Sequence, residues 1–379
     1  FAYPTHTPGS LSMVFLFSLS FIVAMFVAML VIRGARGHAG RYGYAKPQRF
    51  HAGDVPRLGG LAIFAGLVCG LAAAVVAFYA NNTGFLGING LVMGTWVAVL
   101  LPTWAGGLVE DLTQRLSVLY RLVLTGLSAA LALCLMDVAV VRVGVPMLDQ
   151  MLLAVPWMGV VLAFMAIAGL PHAFNIIDGY NGLAGMVALA VCVALMYVAL
   201  QVGDRQLAGV LVCMVGATAG FLVWNYPRGL VFAGDGGAYL WGVLIAVASL
   251  LLVHRNEQVS PWFPMLLLIY PVWETLFSIY RKLVRGTSPS VADALHFHQL
   301  IYRRIVHQVF HDDESRRILM RNNRTSPYLW AFTMLTVIPA LVFWRTTWVL
   351  MAFCAVFVLS YVAAYLMIIR FKVPNWLRR

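Results

Sequence analysis

The residues best placed to do chemistry are carboxylates set beside glycines, amides or one another in an otherwise apolar chain: Glu110 and Asp111 in WAGGLVEDL, Asp178 in FNIIDGYNGLAG, and Asp235 in FAGDGGAYLWG. Adjacent carboxylates repel unless a cation or a proton lies between them. Glu110 and Asp111 therefore read either as a metal or base site or as two solvated residues at a helix end. The glycines around Asp235 let the backbone approach an anion while the carboxylate holds a divalent ion, and a following helix start would add free N–H groups; a turn with an N-cap is the plainer alternative. Asn175, Asp178 and Asn181 share one polar, glycine-rich turn, although a structural loop draws on the same residue types.

His296 and His298 lie in DALHFHQLIYRR. On a helix, side chains two positions apart point about 200° from each other, so the two imidazoles are not expected to share a metal; one would serve a site while the other packs or caps. No further Cys or His stands at zinc-like spacing, which argues against zinc. Imidazoles beside Arg303 and Arg304 suit phosphate recognition instead. His172 and Glu274 read as buried polar groups with partners, and Asp312, Asp313 and Glu314 as a solvated loop. The five cysteines all fall in apolar runs without C-x-x-C spacing, as small buried hydrophobes would.

The elements that carry these residues are set by composition. Hydrophobic residues make up 62% of 379 positions and charged residues 11%, with mean hydropathy +0.86, whereas soluble domains are about half apolar and a quarter charged. Residues 11–32 form an uncharged run long enough to cross about 30 Å of hydrocarbon at about 1.5 Å per residue. It exceeds a signal-peptide core and is followed by Arg33, Arg36 and Arg41, so it reads as a retained span. Similar runs follow near 58–79, 91–109, 122–141, 155–174, 182–201, 207–224, 236–253, 262–279, 327–343 and 347–369. The expectation is an all-α, polytopic transmembrane helix bundle of about eleven spans, forming one integral membrane domain over 1–379. No internal repeat of the transporter kind is evident.

Basic residues give the orientation, because positive charge is retained on the cytoplasmic side. The segments after odd-numbered spans hold 22 of the 26 Lys and Arg residues; Arg142, Arg205, Arg255 and Arg345 alone lie between the others. The N-terminus is thus expected outside and the C-terminus inside. Loops 33–57, 110–121, 175–181, 225–235 and 280–326 then form one cytoplasmic face, which carries all the acidic clusters and both histidines. The formal charge of +12 is accounted for by anionic lipid and a phosphorylated substrate, not nucleic acid.

Five motifs in order, RFHAGDVPRLGG, GLVEDL, FNIIDGYNGLAG, NYPRGLVFAGDGGAYLWG, and PVWETLFSIYRKLVRGTSP followed by HFHQLIYRR, resemble the polyprenyl-phosphate N-acetylhexosamine-1-phosphate transferases. That superfamily includes the phospho-MurNAc-pentapeptide translocase and the GlcNAc-1-phosphate transferases of O-antigen and teichoic acid synthesis. The resemblance covers roughly residues 45–305. It implies a bacterial inner-membrane enzyme that transfers a sugar 1-phosphate from a UDP-sugar to undecaprenyl or another polyprenyl phosphate. The reaction would use Mg²⁺, with Mn²⁺ as the alternative ion, and would release UMP on the cytoplasmic side.

By motif match the resemblance makes Asp235 a metal ligand and sets Asp111 and Glu110 near the lipid phosphate, with Asp111 a second metal candidate. It assigns Asn175, Asp178, Asn181 and Asn225 to the uridine diphosphate moiety. His296 and His298 would contact phosphate or sugar, Arg303 would assist phosphate binding, and Arg49, His51 and Arg57 would steer phosphate at the membrane surface. Glu110 and Glu274 stand where the family pattern has Asp, Gly237-Ala238 where it has Gly-Ser, and Gln299 where it has a third His. These departures keep an inactive homologue open. A transporter or flippase of lipid-linked sugars is the other alternative, but it needs polar groups near the bilayer midplane. The sugar, the glycan pathway, the lipid length and the presence of a homodimer stay open.

Overall fold

The computed structural model of the chain describes residues 8–35, 54–81, 86–286, 295–306 and 313–370. Among these residues there are fourteen helices and no strand: α1 Pro8–Gly34, α2 Gly59–Asn81, α3 Gly90–Thr113, α4 Val118–Met136, α5 Pro146–Ala154, α6 Pro156–Ile177, α7 Leu183–Gln201, α8 Arg205–Asn225, α9 Gly234–Arg255, α10 Trp262–Leu267, α11 Ile269–Val284, α12 Phe297–Arg304, α13 Glu314–Val342 and α14 Thr347–Ile369. Ten of them are long and apolar enough to cross a bilayer. Arg49 and His51 lie outside the described residues. The protein is an integral, multi-pass membrane protein.

The difference from eleven expected spans lies at 262–279, where α10 and α11 are separated at Leu268. Pro271 has no N–H to donate to the carbonyl four residues back, so the helix breaks there instead of running through. The split segment still runs the length of the bundle. At its start Ser260 Oγ meets Thr347 Oγ1 at 2.8 Å, beside the beginning of α14. At its end Arg281 donates to the Leu295 carbonyl and packs over Tyr365, in the last turns of α14.

Hydrogen bonds between connecting segments fall into two separate groups, as alternating passes require. At one end Arg142 donates to the carbonyls of Val253, Asn256 and Val259, Gln206 to that of Gly87, and Trp262 to that of Val143. At the other end Gly59 and Gly60 donate to the Phe232 and Ala233 carbonyls, Gly182 to Asn225, Asn323 to the Pro227 carbonyl, and Arg304 to the carbonyls of Ile368 and Ile369. The second end is the one that carries the acidic motifs.

α1 is packed into the bundle. Gly216 and Gly220, four apart on α8, bring that helix against the backbone of Phe17 and Phe21, a small-residue contact typical of membrane helices. Trp224 Nε1 donates to the Met25 carbonyl at 2.9 Å. α9 is apolar on every side because it is enclosed on every side; 89% of its membrane window is buried, against 22% for α4.

At the acidic end α2, α3 and α9 approach backbone to backbone through glycines. A Cβ on Gly107 would lie 2.5 Å from the Gly236 nitrogen and 2.6 Å from its Cα, and one on Gly60 would lie 2.6 Å from the Gly236 carbonyl carbon. Because main chain cannot step aside like a side-chain tip, Gly107→Ala should destabilise by about 1–3 kcal/mol or more. Thermal unfolding followed by size-exclusion in detergent checks this, and an unchanged midpoint would contradict the close approach.

Candidate active site

The start of α9 organises the site. Ala233, at its N-cap, supplies no side-chain acceptor, so the first N–H groups of a helix inside the protein need one from elsewhere. Asp111, 5% exposed, supplies it from the last turn of α3. The Asp235 N–H donates to its Oδ1 and the Gly236 N–H to its Oδ2, both at 2.9 Å. The carboxyl thus sits at the positive end of the α9 dipole. Gly234 enters the turn with φ +70°, and a Cβ there would collide with the Asp111 carboxylate and the Arg57 carbonyl.

Glu110 and Asp111 do not confront each other, because successive helical side chains diverge by about 100°. While Asp111 turns into the bundle, Glu110 Oε2 accepts from the Leu116 N–H at 2.8 Å and closes the turn into α4. Asp235 faces outward, where its Oδ2 lies 3.1 Å from Arg121 Nη1. Arg121 stands in the first turn of α4, which Ser117 caps through the Tyr120 N–H. Its alignment with Asp235, 114 positions away, carries no local signal, and sequence reasoning did not single it out.

Asp178 follows the last residue of α6. Part of its surface remains open, but protein surrounds the carboxyl. Burial first, and then the negative charge of Asp235, lift it to about 7, while Arg57 opposes the rise. Asp178 and Asp235 are thus close enough to repel, and Arg57 is held near them by the pairing of residues 56–60 with Phe232 and Ala233. Asn175, at the end of α6, and Arg121, at the start of α4, both lie close to Tyr239 on α9. His172 packs its ring edge on Tyr239 at 5.3 Å and sits 3.3 Å from Thr125 Oγ1, a polar group with partners, as its sequence setting suggests.

Asn181 and Asn225 hold the site together. Asn225 Oδ1 accepts from the Gly182 N–H at 2.7 Å and its amide donates to the Val231 carbonyl at 2.8 Å, so one side chain clamps the α6–α7 turn to the segment before α9. The Asn181 N–H donates to Asn322 Oδ1 at 2.8 Å and its side-chain amide to Asn323 Oδ1 at 2.9 Å. Ser326 Oγ donates to the Asn181 carbonyl at 2.6 Å, which docks the turn on α13.

The two histidines depart from the helical expectation. His296 precedes α12 in extended conformation, with φ −64° and ψ 148°, so the 200° separation does not apply. The rings stack at 5.3 Å with 6° between their planes. His298 reaches the acidic turn, its Nε2 lying 3.2 Å from where a Gly179 Cβ would stand, and its ring meets Tyr180 edge-on. Glu274 is wholly buried and accepts from the Phe297 N–H, from Tyr361 Oη and at His296 Nδ1, which makes it the partnered buried acid its setting suggests. Arg303 is exposed beside them.

Among the described residues no three Asp, Glu, His or Cys side chains converge at metal-binding distance. Asp178 and Asp235 supply the donor set that suits Mg²⁺, which takes one or two carboxylates and completes its shell with water and phosphate oxygens. A divalent ion held by these carboxylates would offset their charge. Asp111 already receives two backbone N–H groups on its two oxygens.

A model described as glycosyl transferase family 4 matches residues 92–253, the segment holding Glu110, Asp111, Asn175, Asp178, Asn181, Asn225 and Asp235. The chain is 26% identical over 293 residues, 74% of its length and 75% of the relative's, to a probable undecaprenyl-phosphate N-acetylglucosaminyl 1-phosphate transferase of Bacillus subtilis. It is 25% identical over 308 residues, 74% of its length and 72% of the relative's, to a decaprenyl-phosphate N-acetylglucosaminephosphotransferase of Mycolicibacterium smegmatis. A phospho-N-acetylmuramoyl-pentapeptide-transferase of Moorella thermoacetica is 33% identical over 105 residues, 28% of this chain and 32% of that one. With Glu110, Asp111, Asp178 and Asp235 inside the matched segment, the acidic end of this chain is similar to the glycosyl transferase family 4 proteins.

Proposed function

We propose that this chain transfers a sugar 1-phosphate from a UDP-sugar to a polyprenyl phosphate and releases UMP. The observation that carries the reading is the cluster at the start of α9, where Asp235 meets Arg121 at 3.1 Å, Asp111 caps the helix and Asn225 ties the turn that bears Asp178 to the segment before α9. The names of the relatives supply the substrate class, with an N-acetylated hexosamine as the sugar. An oxygen of the lipid phosphate attacks the β-phosphorus; the bond from that phosphorus to the bridging oxygen breaks, and UMP leaves with that oxygen. A phosphate monoester has its second pKa near 6, so at pH 7 the nucleophile is mostly dianionic and needs little base assistance.

Bound Mg²⁺, held by Asp178 and Asp235, would neutralise charge on the diphosphate. The residues of the chain position the reactants. Asp111 fixes the direction of Asp235 through the backbone of α9, Arg121 and Arg57 offer cationic partners to phosphate, and Asn175 and Tyr239 line the approach from α6 and α9. Asn181 and Asn225 hold the turn that bears Asp178, and thus act on the uridine diphosphate through its shape. The acidic end faces the cytoplasm of a bacterial inner membrane, and the product begins a lipid-linked glycan of the cell envelope.

Purified protein in lipid, given UDP-GlcNAc or other UDP-sugars, undecaprenyl phosphate and Mg²⁺ or Mn²⁺, should form UMP only when all three are present. UMP formation without the lipid phosphate would contradict the reading. The orientation has its own test. Gly34 closes α1 at the acidic end, and a Cβ there meets nothing within 4 Å, so Gly34→Cys should leave the fold intact. A membrane-impermeant maleimide should label it in inverted vesicles and not in intact cells; the opposite pattern would overturn the proposed sidedness.

A further inference from the structure

We infer that Glu274 is a positioning residue for His296: it fixes the imidazole with the proton on Nδ1 and its plane against His298, the ring that lies over the turn bearing Asp178. This rests on the transfer reaction proposed above and adds to it a part for a residue outside the matched segment. An ionised carboxylate is acceptor-only. Glu274 Oε1 receives the Phe297 N–H at 3.1 Å and stands 3.0 Å from His296 Nδ1, while its Oε2 receives Tyr361 Oη at 2.7 Å. With both oxygens anchored by donors from α12 and α14, the carboxylate cannot rotate away, and the only arrangement at Nδ1 that gives a hydrogen bond is donation from the ring.

Burial raises the stakes of this arrangement. Glu274 has no exposed surface and His296 is 6% exposed, so an acid left without donors there would be costly. The three donors therefore answer to one another, and the ring plane is fixed a second time by His298, stacked 5.3 Å away. His298 in turn lies over Gly179, next to Asp178. The ionisable groups facing His296 are Glu274 from α11, His298 from α12 and Tyr361 from α14, with Arg281 next to Tyr361 through Tyr365. A histidine whose tautomer is set by the hydrogen bond that one of its nitrogens makes is a recurring device in functional sites.

The test replaces Glu274 by Gln, Asp and Ala and reads two quantities. In protein with ¹⁵N-labelled histidine, the His296 ring, assigned by difference from His296→Gln, should give the Nδ1-protonated pattern. Glu274→Ala should lose that pattern, whereas Glu274→Asp and Glu274→Gln should keep it, because the Gln carboxamide oxygen can take the Phe297 and His296 donors while its NH₂ turns to Tyr361 Oη. In the UMP assay Glu274→Ala should lower kcat by about 10²-fold, the loss that follows a displacement of about 1 Å at a reacting centre, with KM changed much less and with Glu274→Gln restoring most of the rate. Combined with His296→Gln, Glu274→Ala should cost little more than His296→Gln alone. An unaltered tautomer in Glu274→Ala, or losses that multiply in the double variant, would overturn the inference, and Glu274→Ala with normal rates would do the same. Should wild-type protein form no UMP with any UDP-sugar while the Nδ1 signature behaves as described, the transfer reading fails and the positioning stands.

Discussion

Asp235→Asn is expected to lower UMP formation by at least about 10²–10³-fold, the loss typical of removing one electrostatic group aimed at developing charge, while leaving the melting midpoint nearly unchanged. The separation of the two effects follows from where the side chain stands. Its carboxylate is about one-fifth exposed, and so is the arginine it meets; a partly exposed ion pair contributes only about 0–1 kcal/mol to stability. The same carboxylate is the one whose charge reaches Asp178, and Asn preserves its volume while removing that charge. A variant with wild-type rate would remove Asp235 from the phosphate-binding machinery. A variant with a collapsed melting midpoint would show that the residue holds the fold together.

Asp111→Asn is expected to behave differently, damaging stability and activity together. Both oxygens of Asp111 accept backbone N–H groups at the start of α9. Asn can accept one of them and must turn its NH₂ toward the other, which leaves a buried donor unsatisfied at about 1–3 kcal/mol. Because those two donors belong to Asp235 and its neighbour, the helix start shifts, and a displacement of about 1 Å at a reacting centre costs about 10²-fold in rate. Glu110→Gln should cost far less, within about 0.5 kcal/mol of stability, since a carboxamide oxygen still accepts from the Leu116 N–H. Paired melting and UMP measurements on the two variants check the order, and a larger loss at Glu110 would contradict the part assigned to Asp111.

The helical architecture was legible because lipid imposes a strict rule on the chain: each pass needs about twenty apolar residues and satisfies its backbone internally. The rule gave ten of the passes directly. It was silent about the break at Leu268, which depends on where Pro271 falls within a run that is otherwise apolar enough. The grouping of the acidic motifs at one end was also legible, since it follows from counting passes between them. What each acid does there was not. Asp111 looks like half of a repelling pair in the sequence, and only the approach of α9 through Gly107 and Gly236 makes it a cap for a distant helix.

The same holds for the amides and histidines. Asn181 and Asn225 were singled out by residue type and turn context, yet their side chains bond to α13, to Gly182 and to Val231, contacts separated by up to 142 positions. The histidine geometry was misjudged because the helix begins at Phe297, which leaves His296 outside it in extended conformation. Arg121 and Tyr361 carried no signal in one sequence, since an arginine near a span end and a tyrosine within one are both ordinary.

The most direct measurement uses a UDP-sugar carrying ³²P in the β-phosphate, incubated with undecaprenyl phosphate, Mg²⁺ and the protein in lipid. If sugar 1-phosphate is transferred, the label moves to the lipid phase in step with UMP, and both cease in Asp235→Asn. Release of labelled UDP with an unlabelled lipid product would mean attack at the sugar carbon instead, and the proposed chemistry of the Asp178–Asp235 site would be wrong.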